Sequence, residues 1–154
     1  MKRLVVVLAV LALLMAGCSS TEPQAIAVAG SGDGDALVSY GKVINAQAEI
    51  GITGVGFNGP EKTDYAVGPY GMYLIPMTEE IADDWQPFAG GAMLIDQDFE
   101  FIPKVVAGVI YKPHDTLSPC YLAERAFPTG SVDSVNIRGR SDDIYHWFGI
   151  RYRW

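Results

Sequence analysis

The sequence predicts an all-β domain, a small antiparallel up-and-down β-barrel of eight strands, following an N-terminal signal helix and a flexible tether. Three observations carry that prediction. The final residues alternate strictly in character, with Ile144, His146, Phe148, Ile150, Tyr152 and Trp154 on one face. Asp143, Tyr145, Trp147, Gly149, Arg151 and Arg153 fall on the other, the period of two expected of an extended strand. Similar segments recur backwards along the chain at turn-bounded intervals. Finally, Gly 17 and Tyr 8 in 154 residues favour strands and tight turns over a helical bundle. The length fits one domain.

The N-terminus reads separately. Lys2 and Arg3 form a positive start, and residues 4–14 contain only Leu, Val and Ala. Such a run suits the apolar region of a signal peptide and is too short to span a bilayer comfortably. Met15-Ala16-Gly17-Cys18 follows and resembles the lipobox of bacterial lipoproteins, with Met15 departing from the usual Leu. The resemblance implies that residues 1–17 are removed and that Cys18 carries the lipid. Ser19 rather than Asp after the cysteine implies release to the outer membrane. More than one acyl chain buries enough methylene area for durable anchoring. Residues 18–35 are rich in Ser, Gly and Asp and read as the lipidated tether, although 25–29 could add a short strand. Asp33-Gly34-Asp35 lacks the spacing and closing Glu of a calcium loop.

The barrel domain is expected over 36–154. Its first strand, near 36–44, has the weakest alternation. Residues 47–57 set Ala48, Ile50 and Ile52 against Gln47, Glu49 and Thr53. Residues 64–75 carry Tyr65, Tyr70, Tyr73 and two glycines, and 87–96 are short and Gly-rich. Residues 101–112 put Val105, Ala107, Val109 and Tyr111 opposite Lys104, Val106, Gly108, Ile110 and Lys112. Residues 119–127 set Tyr121, Ala123 and Phe127 against Cys120, Leu122 and Glu124, with Arg125 on the apolar face. Residues 132–140 oppose Val135, Ile137 and Gly139 to Ser134, Asn136, Arg138 and Arg140. The terminal strand completes an even count.

This pattern, with the ending Tyr145-His146-Trp147-Phe148-Gly149-Ile150-Arg151-Tyr152-Arg153-Trp154, resembles the small eight-stranded outer-membrane barrels of the OmpA-domain and opacity-protein class. The likeness covers roughly residues 36–154 and rests on no specific motif. It implies that Phe148, Ile150, Tyr152 and Trp154 face lipid, and that the terminal aromatic is read by the assembly machinery. With a periplasmic C-terminus, the eight expected strands place the connections near 58–63, 97–100 and 128–131 in the periplasm. Those near 77–87 and 113–118 then lie outside, the expected asymmetry of short turns and longer loops. On this register Glu49, Lys104, Lys112, Glu124, Arg138, Arg140, Arg151 and Arg153 point inward or sit near the rims. Opposite charges there should pair, because isolated ones are costly to bury. Eight strands enclose a space that side chains fill, so a plugged polar interior is expected, without an open channel.

Charge excludes one partner class. Lys+Arg 11 against Asp+Glu 18 gives −7, which argues against a nucleic-acid footprint. Residues 19–100 are strongly acidic and 101–154 slightly basic, compatible with internal complementarity or with an acidic lead-in followed by acidic loops. Glu79, Glu80, Asp83, Asp84 and Trp85 make the densest acidic stretch, read as an external loop and candidate partner contact with Trp85 closing it onto the rim.

Catalytic patterns are weak. His114 lies in Lys112-Pro113-His114-Asp115 near Ser118, but no nucleophile-elbow glycines surround that serine. His146 suits an aromatic interface belt. The glycines at 51, 54, 56 and 59 lack the Lys-Ser/Thr ending of a phosphate loop. With Cys18 lipidated, Cys120 has no disulfide partner, and no Cys/His metal spacing occurs. No cofactor is expected. The leading expectation is a non-catalytic outer-membrane barrel lipoprotein with a structural, adhesive or partner-binding role, its partners being membrane lipid and an envelope protein. The alternatives are a soluble periplasmic β-domain tethered by its lipid, acting as a binding module or inhibitor, and an envelope lipid-modifying hydrolase. The tethered domain would turn its apolar faces into a dry core and Arg151 and Arg153 to water.

Overall fold

The computed structural model describes residues 23–45, 47–58, 63–77, 84–111, 116–127 and 144–154. They form eight antiparallel strands: β1 (Gln24–Gly30), β2 (Ala36–Asn45), β3 (Ala48–Asn58), β4 (Thr63–Leu74), β5 (Trp85–Asp96), β6 (Phe101–Tyr111), β7 (Leu117–Ala126) and β8 (Tyr145–Arg153). Each pairs with its neighbours in sequence, and β1 pairs with β8, so the sheet closes on itself. Closure leaves no strand at an unpaired edge of the sheet.

The count of eight is met by a different set of strands from the one read in the sequence. Residues 24–30, assigned to the tether, are β1. Ala25, Ala27 and Ala29 turn inward while Ile26 and Val28 turn outward, and the strand bonds to β2 on one side and β8 on the other. Small inward side chains suit a strand that closes a narrow barrel, and the Ala-rich composition hides that alternation. The Gly- and Asp-rich stretch after it is a tight turn. Ser31 Oγ accepts from the N–H groups of Asp33 and Asp35, at 3.3 and 3.2 Å, and Gly34 takes the positive φ of 84° that glycine tolerates. The barrel therefore begins at Gln24, not at residue 36. Residues 18–22, like the signal segment 1–17, lie outside the described residues.

The strand expected at 132–140 also lies outside the described residues. The barrel closes without it: Leu117↔Tyr152 through Glu124↔Tyr145 pair β7 directly with β8.

Exchanging one strand for another inverts the expected sidedness. Gln24 and Trp154 meet at one end of the barrel, where each backbone N–H donates to the other's carbonyl at 3.0 and 3.1 Å. At that end β2 hands over to β3, β4 to β5 and β6 to β7. The handovers β1–β2, β3–β4, β5–β6 and β7–β8 lie at the opposite end, and the last spans the longest connection, 127–144. Trp85, which opens β5, thus stands at the end shared with Trp154, not at the far end.

Inside, two apolar clusters fill much of the lumen. Leu37, Val55, Phe57, Leu94, Ile102 and Trp147 pack towards the end away from Trp154. Leu74, Phe88 and Ile110 pack on β4–β6 towards the end near it. The interior is more apolar than the polar plug expected from the charged inward positions, because the same faces also deliver Leu, Ile, Phe and Trp.

Candidate functional site

The described residues place their charges and their apolar surface in inverse order to a water-soluble domain. On β8, Phe148, Ile150, Tyr152 and Trp154 are exposed on the outer wall, while Trp147 and Arg151 are buried on the inner one. The same split runs round the barrel. Val28, Ile50, Ile52, Val67, Met93 and Val105 are exposed outward. Aromatic side chains sit near both rims. Tyr73, Trp85, Tyr111, Tyr152 and Trp154 stand near the end where the chain ends meet, and Tyr65, Phe101, Phe127 and Phe148 lie towards the other. Trp85 packs against Tyr111 with ring centroids 4.9 Å apart, and Tyr152 against Trp154 at 5.4 Å. An apolar band flanked by aromatic girdles is the outer surface of a membrane-spanning barrel. No helix among the described residues is long and apolar enough to cross a membrane.

Two ion pairs occupy the lumen. Arg151 Nη2 on β8 donates to Glu49 Oε2 on β3 at 2.6 Å, and the Tyr70 hydroxyl on β4 donates to Glu49 Oε1 at 2.5 Å. Lys104 Nζ on β6 donates to Glu124 Oε1 on β7 at 2.5 Å and stands 5.4 Å from the Phe57 ring centroid. Glu49, Lys104, Glu124 and Arg151 are all buried. The pairing expected of inward charges is therefore present for these four. Lys112, Arg138 and Arg140 lie outside the described residues. Between the pairs remains a cavity of about 80 Å³, lined by Tyr70, Phe88, Cys120 and Leu122 as well as the charged groups. Such a volume holds a few waters.

Glycine makes room for the first network. A Cβ on Gly41 would overlap the Tyr70 hydroxyl and crowd Glu49 Oε1, so the lumen-facing position of β2 must stay bare. The sequence reading placed Glu49 and Arg151 inward but missed both Tyr70 as a partner and Gly41 as the space it needs. The inward parity of Gly41 was the one signal available.

The remaining sequence-singled residues are scattered. Glu79, Glu80 and Asp83 lie outside the described residues; Asp84 is exposed and Trp85 opens β5 at the rim. Cys18, His114 and Asp115 also lie outside. Ser118 is buried on the inward face of β7. His146 stands on the outer wall of β8, its Nδ1 2.7 Å from the Tyr121 hydroxyl, and so cannot meet Ser118. Cys120 is a free thiol facing the cavity. Among the described residues no group of three or more His, Cys, Asp or Glu side chains could hold a metal, and no catalytic constellation is assembled. Arg125, the outward cation of the apolar face on β7, lies one residue from the end of its strand and packs 5.5 Å from the Phe127 ring centroid. A charge at a rim costs little where the same charge at mid-wall would be expensive.

No protein-family model matches the chain, and no curated protein matches it. Solved structures do. The N-terminal β-barrel domain of Pseudomonas aeruginosa OprF aligns over 86% of this chain and 96% of its own, with a TM-score of 0.62 and 6% identity. A de novo designed transmembrane β-barrel aligns over 88% and 98%, with a TM-score of 0.59 and 11% identity. Neisserial surface protein A aligns over 86% and 94%, with a TM-score of 0.55 and 16% identity. At these identities the likeness establishes the fold alone: an eight-stranded antiparallel barrel resembling the small outer-membrane barrels.

Proposed function

We propose that the chain is a barrel lipoprotein of the outer membrane, anchored by a lipid on Cys18 as well as by its wall, with a structural, adhesive or partner-binding role and no catalysis. One observation carries the membrane reading. The outward faces expose Phe148, Ile150, Tyr152 and Trp154 while Glu49, Arg151, Lys104 and Glu124 are buried and paired inside. A tethered soluble domain would require the reverse. The lipid anchor rests on the lipobox-like Met15-Ala16-Gly17-Cys18. The longest connection, 127–144, suits the extracellular side, which puts Gln24 and the chain leading to Cys18 at the periplasmic leaflet. The acidic stretch ending in Asp84 and Trp85 then faces the periplasm, and a partner using it is a periplasmic envelope component.

Gel mobility of the membrane-extracted protein, unboiled against boiled, tests the barrel. A heat-dependent shift that persists in Cys18→Ser refolded into micelles supports it. A soluble folded domain without any shift sinks it. Incorporation of labelled palmitate into the wild type but not into Cys18→Ser tests the anchor separately.

A further inference from the structure

The lumen is filled at two levels and roomier between them. The cavity of about 80 Å³ is bordered by Leu37 from one apolar cluster and by Phe88 and Ile110 from the other. Eight strands enclose a space that side chains can fill, but here several inward positions carry little bulk. Ala27 on β1, Ala92 on β5 and Cys120 on β7 all border the cavity without closing it.

Its walls are unlike. Met72, Val106 and Leu122 continue the apolar surface on β4, β6 and β7, whereas Glu49, Tyr70 and Arg151 bring polar groups from β3, β4 and β8. Glu49 is engaged on both oxygens, by the Tyr70 hydroxyl and by Arg151 Nη2. Arg151 Nε is different. It is buried and meets no acceptor among the described residues, on a side chain that is 8% exposed and borders the cavity. A buried N–H in that position costs about as much as a lost hydrogen bond, and folded proteins keep few of them. The charges already balance two for two, Arg151 with Glu49 and Lys104 with Glu124, so an ionised guest would add an unpaired charge to the lumen. Water needs two to four polar partners, which the apolar wall does not offer.

From this juxtaposition we infer that the mid-lumen cavity is a binding site for one small neutral molecule with an apolar body and a single hydrogen-bond acceptor, such as a short ketone or ester. The body lies against Phe88, Ile110 and Leu122, and the acceptor takes the Arg151 Nε–H. A space of this size suits roughly six non-hydrogen atoms. The inference concerns the inside of the barrel and goes beyond the role proposed above, since it holds whatever the outer wall meets.

NMR of full-length Cys18→Ser in micelles, titrated with cyclopentanone and separately with methylenecyclopentane, tests the site. The two probes share a shape, but only the ketone carries an acceptor. Both should shift the methyl signals of Met72, Ile110 and Leu122 saturably, while the outward Ile50 and Ile150 show no saturation. The Arg151 Nε–H resonance should move with the ketone and not with the hydrocarbon. The ratio of ketone to hydrocarbon affinity should be about tenfold higher in the parent than in a variant carrying Glu49→Met, Tyr70→Phe and Arg151→Met together, the factor expected of one hydrogen bond to a charged group. Comparing the two ratios cancels the unequal partition of the probes into detergent, and Tyr70→Phe keeps a released hydroxyl from standing in for Arg151. Cys120→Leu and Ala92→Leu, which fill the cavity from different strands, should each abolish binding of both probes. Every variant is first checked for the heat-dependent mobility shift, and where one does not fold, the Arg151 Nε–H resonance of the parent decides. Absence of saturable shifts at the inner methyls of the parent overturns the site. An Nε–H signal indifferent to the ketone, or equal affinity ratios in parent and triple variant, overturns the ligand class. A parent that proves soluble is titrated in buffer with the same expectations, so loss of the membrane reading and loss of the site are told apart.

Discussion

Arg151 and Glu49, separated by 102 positions in sequence, meet across the lumen with Nη2 and Oε2 2.6 Å apart. They stand on β8 and β3, which are not neighbours in the wall, so the pair ties the barrel across its interior. Breaking it by removing one partner leaves the other charge buried alone. Glu49→Ala should therefore lower stability by about 3–5 kcal/mol, whereas replacing both residues by Met should cost far less. Equilibrium unfolding in detergent micelles measures both. Equal losses for the single and double replacements would show that the pair itself, not the orphaned charge, dominates.

Gly41 should tolerate no side chain. Gly41→Ala places a methyl against the Tyr70 hydroxyl and Glu49, at a cost of roughly 1–3 kcal/mol for overpacking. In a Tyr70→Phe background the hydroxyl is gone and the cost of Gly41→Ala should shrink. A double-mutant cycle on unfolding free energies reads that coupling directly. Strict additivity would place Tyr70 elsewhere than beside Gly41.

The outer wall should show a depth profile. Ile150 lies at mid-strand on β8 and Tyr152 near the rim. Ile150→Lys should destabilise the barrel in vesicles by about 2–4 kcal/mol and Tyr152→Lys by about 0–1 kcal/mol, beyond the loss of the original side chains. Urea titration of folding into phosphatidylcholine vesicles compares them. A soluble domain would show no such gradient.

Closure should depend on β1 and not on 132–140. Deleting residues 24–30 exposes the edges of β2 and β8 and should abolish the heat-dependent mobility shift. Replacing residues 130–141 by a short Gly-Ser link should preserve it, since lengthening or shortening a surface connection changes closure entropy only weakly. The opposite result would return 132–140 to the wall.

Much of this barrel was legible in the residues. The strands around 47–57, 64–75, 101–112 and 144–154 show a period of two that only an extended chain with two unlike faces produces. Which face carries Arg151 and which carries Phe148 follows from the same alternation. Even the need for inward charges to pair could be stated from the cost of burying them alone. The segment 24–30 was less legible, because alternating Ala with Ile and Val looks much like a small-residue tether when no neighbour is in view.

Tertiary structure decided what alternation cannot carry. A period of two fixes the face of each side chain, but it contains no information about which strand lies beside which. Closure settled that β1 rather than 132–140 is the eighth strand, and with it which connections share an end with Trp154. It also chose the partners: Glu49 for Arg151 and Tyr70, Glu124 for Lys104. Such pairings depend on register and barrel curvature, which arise only when all eight strands are in place. Alternation is a local property of the backbone; neighbours and register belong to the closed sheet.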